Sequence, residues 1–105
     1  MDNRLKLIAD YYGYESQREQ LIEECAEIVL AVQKCKRYGT KEHLESFEGE
    51  VADVLIMAMQ MKYMLGDTKI NQVIDEKLTR QMHRIEDIEG FDIWERLRKR
   101  HEEQR

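Results

Sequence analysis

Apolar residues recur at helical spacing along most of the chain. Leu5, Ile8 and Tyr12 fall at i, i+3 and i+7, which predicts a short amphipathic helix over residues 3–12, closed near Gly13. In "SQRE", Ser16 and Glu19 have the spacing of a capping box, where each side chain meets a backbone N–H left unpaired by the first helical turn. A second helix is therefore expected from about Gln17 to Tyr38, with Gly39 in the left-handed closing position. Leu21, Cys25, Ile28, Val32 and Cys35 share one stripe of it.

A third helix is predicted from Glu42 to Leu65, stopped by Gly66, with Val51, Val54, Met57, Ala58, Met61 and Met64 on its inner side. Its opposite side carries Leu55, Ile56 and Met59. A helix that is apolar all round needs cover on more than one face, and 105 residues scarcely suffice to surround it. A partner subunit is expected, most simply in a symmetric dimer. A fourth helix, about Thr68 to Glu89, presents Ile70, Ile74, Leu78, Ile85 and Ile88 and ends at Gly90. Residues 91–105 dock through Phe91, Ile93, Trp94 and Leu97, then become wholly charged and are expected to fray.

These elements describe an all-α, four-helix-bundle-like single domain over residues 1–105, completed by homodimerisation. Residues 1–15 form the N-terminal helix and loop, 16–90 the three long core helices and 91–105 the C-terminal segment. Composition agrees: proline is absent and the five glycines leave long uninterrupted segments. With 42% hydrophobic residues the chain is too apolar for disorder, and 37% charged residues suit solvent-facing helices.

The formal net charge of −5 argues against a nucleic-acid partner, because phosphate backbones are held by clustered Lys and Arg. The start lacks a signal-peptide pattern and no stretch approaches the roughly 18 apolar residues of a membrane span, so no membrane partner and a cytoplasmic location are expected. Cys25 and Cys35, without a CxxC, suggest neither a disulfide scaffold nor a zinc site and read as reduced core residues.

Candidate chemistry enters with "GEVADVLIMAM", where Asp53 is the only polar residue between Val51 and Met59. An unpaired carboxylate in such surroundings is costly. Glu50 stands three residues before it, within the apolar stripe between Met57 and Met61. On the second helix Glu24 lies at the margin of the stripe and Glu27 just outside it. Two antiparallel helices joined by a short loop would bring these four carboxylates together, and Mg²⁺ or Mn²⁺ is the natural remedy for their repulsion. On the fourth helix Lys77, Arg80 and Arg84 follow i, i+3 and i+7 and offer charge for a phosphate group. They could instead form salt bridges with Glu24 or Asp53, and the acidic pairs could be solvated helix faces.

Glu23-Glu24-x-x-Glu27, a spacer of 22 residues and Glu50-x-x-Asp53 resemble the ExxE…ExxD signature of the MazG-like all-α nucleoside triphosphate pyrophosphohydrolases. "DEKLTRQMHRIE", with Lys77 and Arg80 in K-[LF]-x-R spacing, is similar to a later helix of that family. The resemblance runs from about Ser16 to Glu86. It implies Mg²⁺-dependent cleavage of a nucleoside triphosphate to the monophosphate and pyrophosphate, in a homodimer or homotetramer. It makes Glu24, Glu27, Glu50 and Asp53 metal ligands.

Glu24 or Glu27 would take the proton of the attacking water, with Glu23 as support behind them; sequence leaves that choice open. Tyr11, Tyr12, Tyr14 and Trp94 are candidate stacking surfaces for a base. One competing reading is a di-metal oxidase bundle, but no Glu-x-x-His pair is present. The other is a non-catalytic helical dimer acting as an interaction or regulatory module.

Overall fold

The computed structural model describes residues 1–104. Their regular structure is entirely helical: α1 (Asn3–Tyr12), α2 (Tyr14–Tyr38), α3 (Lys41–Leu65), α4 (Asp67–Glu89) and α5 (Ile93–Glu103). The all-α class is as the periodicity predicts. The chain divides into two compact units, Met1–Asp67 and the part from Thr68 onward.

In the first unit a single residue, Gly13, separates α1 from α2. Its φ of +87° is open to glycine and strained for other residues. Its N–H donates to the Ala9 carbonyl at 2.9 Å, while its own carbonyl accepts from the Gln17 N–H at 3.0 Å. One residue thus ends a helix and starts the next. The expected capping box is not formed: α2 begins at Tyr14 and has no side-chain cap. Once Gly13 starts the ladder early, the amides that Ser16 would have capped are already drawn into it.

Gly39 closes α2 in the left-handed conformation predicted for it, with φ +63°. Thr40 then caps α3 by accepting from the His43 N–H at 3.3 Å. So short a connection folds α3 back antiparallel on α2, and α1 packs against both. Tyr63 of α3 ties α1 down by donating its hydroxyl to the Asp10 carboxylate, 3.0 Å from either oxygen.

The covered positions alternate in steps of four and three. On α2 they are Gln17, Leu21, Glu24, Ile28, Ala31 and Cys35; on α3 the series runs His43, Phe47, Glu50, Val54, Met57, Met61 and Met64, and Val51, Gln60, Lys62 and Tyr63 beside it are covered as well. This is the knobs-into-holes seam of two paired helices. The expected α2 stripe shares Leu21, Ile28 and Cys35 with it, but Cys25 is exposed and Val32 is 40% exposed. Apolar character favoured Cys25 and Val32; the fold instead seats the small Ala31 and the acidic Glu24. Ala58 of the expected inner side of α3 is likewise exposed.

The other side of this hairpin is open in the single chain. Leu55, Ile56 and Met59, predicted to need cover, are exposed, and so are Ile22, Val29 and Leu30 of α2. Among the described residues the buried apolar ones are few: Ala9, Ala31, Met57 and Met61.

In the second unit no residue of α4 is buried, and its Ile74, Leu78 and Met82 are exposed. Gly90 turns the chain into α5, where the Trp94 indole N–H donates to Glu86 at 2.5 Å. The charged tail remains helical to Glu103, where fraying was expected, and Lys99 approaches Glu95 one turn back at 3.8 Å.

Candidate metal centre

The antiparallel α2–α3 seam carries two acidic residues where a packed hairpin ordinarily places apolar ones. Glu24 and Glu50 are half-buried, and one oxygen of each, Oε2 in both cases, is buried without a hydrogen-bond partner. Glu24 has its other oxygen, Oε1, held at 2.8 Å by the Gln20 amide. Glu27, one turn further along α2 and exposed, completes the group. One carboxylate oxygen from each of Glu24, Glu27 and Glu50 lies within 4.8 Å of the others.

Asp53 is exposed, one turn beyond Glu50 on α3, and shares a cavity with Glu24. The burial of Glu50, reinforced by the charges of Glu27, Asp53 and Glu24, pushes its pKa above the ordinary carboxylate value. An orphaned buried oxygen is costly, and more so when it belongs to a charged group. Like charges at this spacing add repulsion.

A donor set made wholly of carboxylate oxygens fits a hard divalent cation and does not suit a soft one. The two orphaned oxygens are where such an ion would supply the missing partner.

The cavity beside the cluster has a volume of about 340 Å³ and is lined among others by Tyr12, Gln17, Gln20, Glu24, Asp53 and Gln60. Of the four aromatic residues considered for stacking, Tyr12 is the one on this wall. Tyr11 packs edge-on against it, with ring centroids 4.9 Å apart, and is itself 82% exposed. Tyr14 lines a separate cavity with Asp10, Tyr63 and Met64, and Trp94 lies in the second unit. Lys77, Arg80 and Arg84 are exposed on α4, also in the second unit; Glu23 is exposed on α2.

Three glutamines of the wall escape a reading by charge. Gln17 is masked by its apparent place just after a helix cap. Gln60 was the more legible, as the lone amide in "MAMQM".

No curated protein and no solved structure matches the chain. A family model does: the MazG nucleotide pyrophosphohydrolase domain matches residues 12–88, a span that begins at the cavity's tyrosine, contains the whole acidic cluster and takes in α4 to its penultimate residue. A match over so much of the sequence shows that the chain belongs to the MazG nucleotide pyrophosphohydrolase family.

Proposed function

We propose that the protein hydrolyses a nucleoside triphosphate, NTP or dNTP, to the monophosphate and pyrophosphate, and that it does so with Mg²⁺, Mn²⁺ being the alternative ion. The observation that carries this reading is the pair of orphaned carboxylate oxygens on Glu24 and Glu50, inside a cluster of oxygen donors in a chain of this family.

On this reading Glu24, Glu27, Glu50 and Asp53 hold the ion. When bound, it supplies charge neutralisation at the phosphates and lowers the pKa of water. The chain's own residues do the rest. Glu50 and Glu24, fixed in the seam by packing, keep the donor set rigid, as a preorganised electrostatic site requires. Glu27 suits the role of base better than Glu24, because it is exposed whereas Glu24 is engaged by Gln20.

Water adds to phosphorus, the bond to the bridging oxygen of the α–β anhydride breaks, and the proton passes to the carboxylate. Lys77, Arg80 and Arg84 are assigned the phosphate contacts on charge and spacing, and Glu23 a supporting place beside Glu24. Tyr12 is the base-stacking surface of the four considered, since it alone shares the cavity.

The same proposal includes one functional domain over residues 1–105, which the family match supports by running through both units. It also includes a homodimer or homotetramer that covers the exposed apolar residues of α2 and α3, and a cytoplasmic location. No helix of the described residues is long and apolar enough to cross a membrane.

A panel of common and modified NTPs and dNTPs, incubated with Mg²⁺ or Mn²⁺ and assayed for pyrophosphate, tests the reading. Release from at least one nucleotide, abolished by a chelator, is expected. No release from any of them would favour the non-catalytic helical module instead.

A further inference from the structure

We infer that Gln17 and Gln60 form a base-reading subsite in the cavity beside the acidic cluster, so that the two amides select the nucleotide by the hydrogen-bonding edge of its base. This deepens the nucleotide reading above and rests on it.

Both side chains are more than nine-tenths buried, Gln17 at 4% and Gln60 at 1% exposure. Each has an atom buried without a partner: an acceptor, Oε1, on Gln17 and a donor, Nε2, on Gln60. Buried amides are ordinarily paired, and two unpaired ones on the wall of one cavity call for a common explanation. They come from different helices, α2 and α3, which the seam holds together. Neither belongs to the acidic cluster.

The chemistry of the orphans restricts the occupant. Gln17 Oε1 needs a hydrogen-bond donor, which a fully ionised phosphate lacks, and Gln60 Nε2 needs an acceptor. A nucleobase edge presents both side by side: ring N–H and carbonyl in uracil, thymine or guanine, exocyclic amine and ring nitrogen in cytosine or adenine. The remaining wall suits a flat heterocycle, with Ile8, Ile56 and Met57 apolar and Tyr12 aromatic. Glu24 and Asp53 on the same wall put the acidic cluster at the cavity's edge, where the phosphates of a nucleotide would leave it. Because unmet buried polar groups penalise the wrong ligand heavily, such a pair discriminates well between bases.

The experiment uses the full chain with a chelator present, so that binding is read without catalysis. Titration of unphosphorylated nucleosides, followed by NMR, is expected to show saturable binding of at least one, with ribose alone failing to bind. Methylating the ring nitrogen or exocyclic amine on its edge should weaken that nucleoside at least about tenfold. Gln17→Met and Gln60→Met should each level the ranking among nucleosides, and their helical circular dichroism will show whether they fold.

If ribose binds as well as the nucleosides, if no nucleoside binds, or if wild-type binding ignores edge methylation, the inference is overturned. The methylation arm needs no variant. Pyrophosphate release by the wild type with an unchanged base preference in folded variants would overturn the subsite and leave the hydrolase standing. Nucleoside selectivity without pyrophosphate release would do the reverse.

Discussion

Glu24 of α2 and Glu50 of α3 meet at the seam of the helical hairpin, with carboxylate oxygens no more than 4.8 Å apart, and each keeps one buried oxygen without a hydrogen-bond partner among the described residues. Seam positions on either side of them hold the apolar Leu21 and Ile28 on α2 and Phe47 and Val54 on α3. Stability and charge are thus set against each other at one level of the fold. Function gains from the conflict, because a rigid frame holds the oxygens in place before a ligand arrives.

The first expectation follows from that conflict. Glu50→Gln should raise the melting temperature of metal-free protein, since it removes a charge that burial and three neighbouring carboxylates disfavour. Pyrophosphate release with Mg²⁺ should fall on the order of 10²–10³-fold, the scale seen when one contact to a developing charge is lost. Asp53→Asn should move both quantities in the same directions. Thermal unfolding in a chelator and a phosphate-coupled assay read the two halves, and a variant that melts lower and keeps full activity would refute the assignment.

Stability should also depend on pH in a definite direction. Glu50 has its pKa raised above the ordinary glutamate value in the folded state, chiefly by burial and then by the charges of Glu27, Asp53 and Glu24. The folded form therefore binds this proton more tightly than the unfolded form does. Its stabilising effect is complete below the unfolded pKa and disappears as pH rises through the folded one. Metal-free wild type should accordingly lose melting temperature as pH climbs from about 4.5 towards neutrality, and Glu50→Gln should flatten that dependence. Mg²⁺ should oppose it, because ligation requires deprotonated carboxylates. Equal slopes for wild type and variant would show that Glu50 does not titrate as described.

Much of this arrangement was legible before the fold was seen. Glycines and apolar periodicity delimit the helices because a break in the backbone ladder has a strong local cause, as at Gly39 and Gly66. Glu50 was legible because it falls within an apolar stripe and the fold half-buries it there, whereas Asp53, in the same apolar run, is exposed. Less legible was the register of α2. Cys25 and Val32 are apolar and Glu24 is not, so hydrophobicity pointed one position too far at these two places while Leu21, Ile28 and Cys35 fell on the true seam.

The capping box failed for a related reason. Ser16 and Glu19 have the right spacing, but one glycine three residues upstream begins the helix first. Gln17 and Gln60 carry no charge, and although Gln60 stands out as the lone amide in "MAMQM", the importance of both comes from burial and lack of partners, which are properties of the fold.

The covered part of the seam gives a stability prediction of the ordinary kind. Met57 is 6% exposed and stands between Glu50 and Met61 on the inner side of α3. Met57→Ala should destabilise the protein by about 2–5 kcal/mol, from lost transfer energy and the cavity left behind. Met57→Leu, nearly equal in volume, should cost less than about 1.5 kcal/mol. Urea unfolding at fixed protein concentration measures both, and a near-neutral alanine variant would mean that the helices do not pack through this residue.

The exposed face supports the last prediction. Leu55, Ile56 and Met59 are 55%, 41% and 39% exposed on a helix whose other side is the seam, and Ile22, Val29 and Leu30 of α2 are more than half exposed. So much exposed apolar surface on so small a chain is of the kind that interaction faces present. If a second copy covers it, wild type should sediment as a dimer or tetramer at micromolar concentration. Leu55→Lys together with Met59→Lys should then shift it to monomer and lower its melting temperature, because charge is costly at the centre of an apolar interface. A Leu44→Lys control, also at an exposed α3 residue but one turn from the helix start, should leave the assembly state unchanged if the contact is confined to the middle of the helix. Sedimentation velocity separates these outcomes. A wild type that is monomeric at every concentration would leave the face to a partner of another kind.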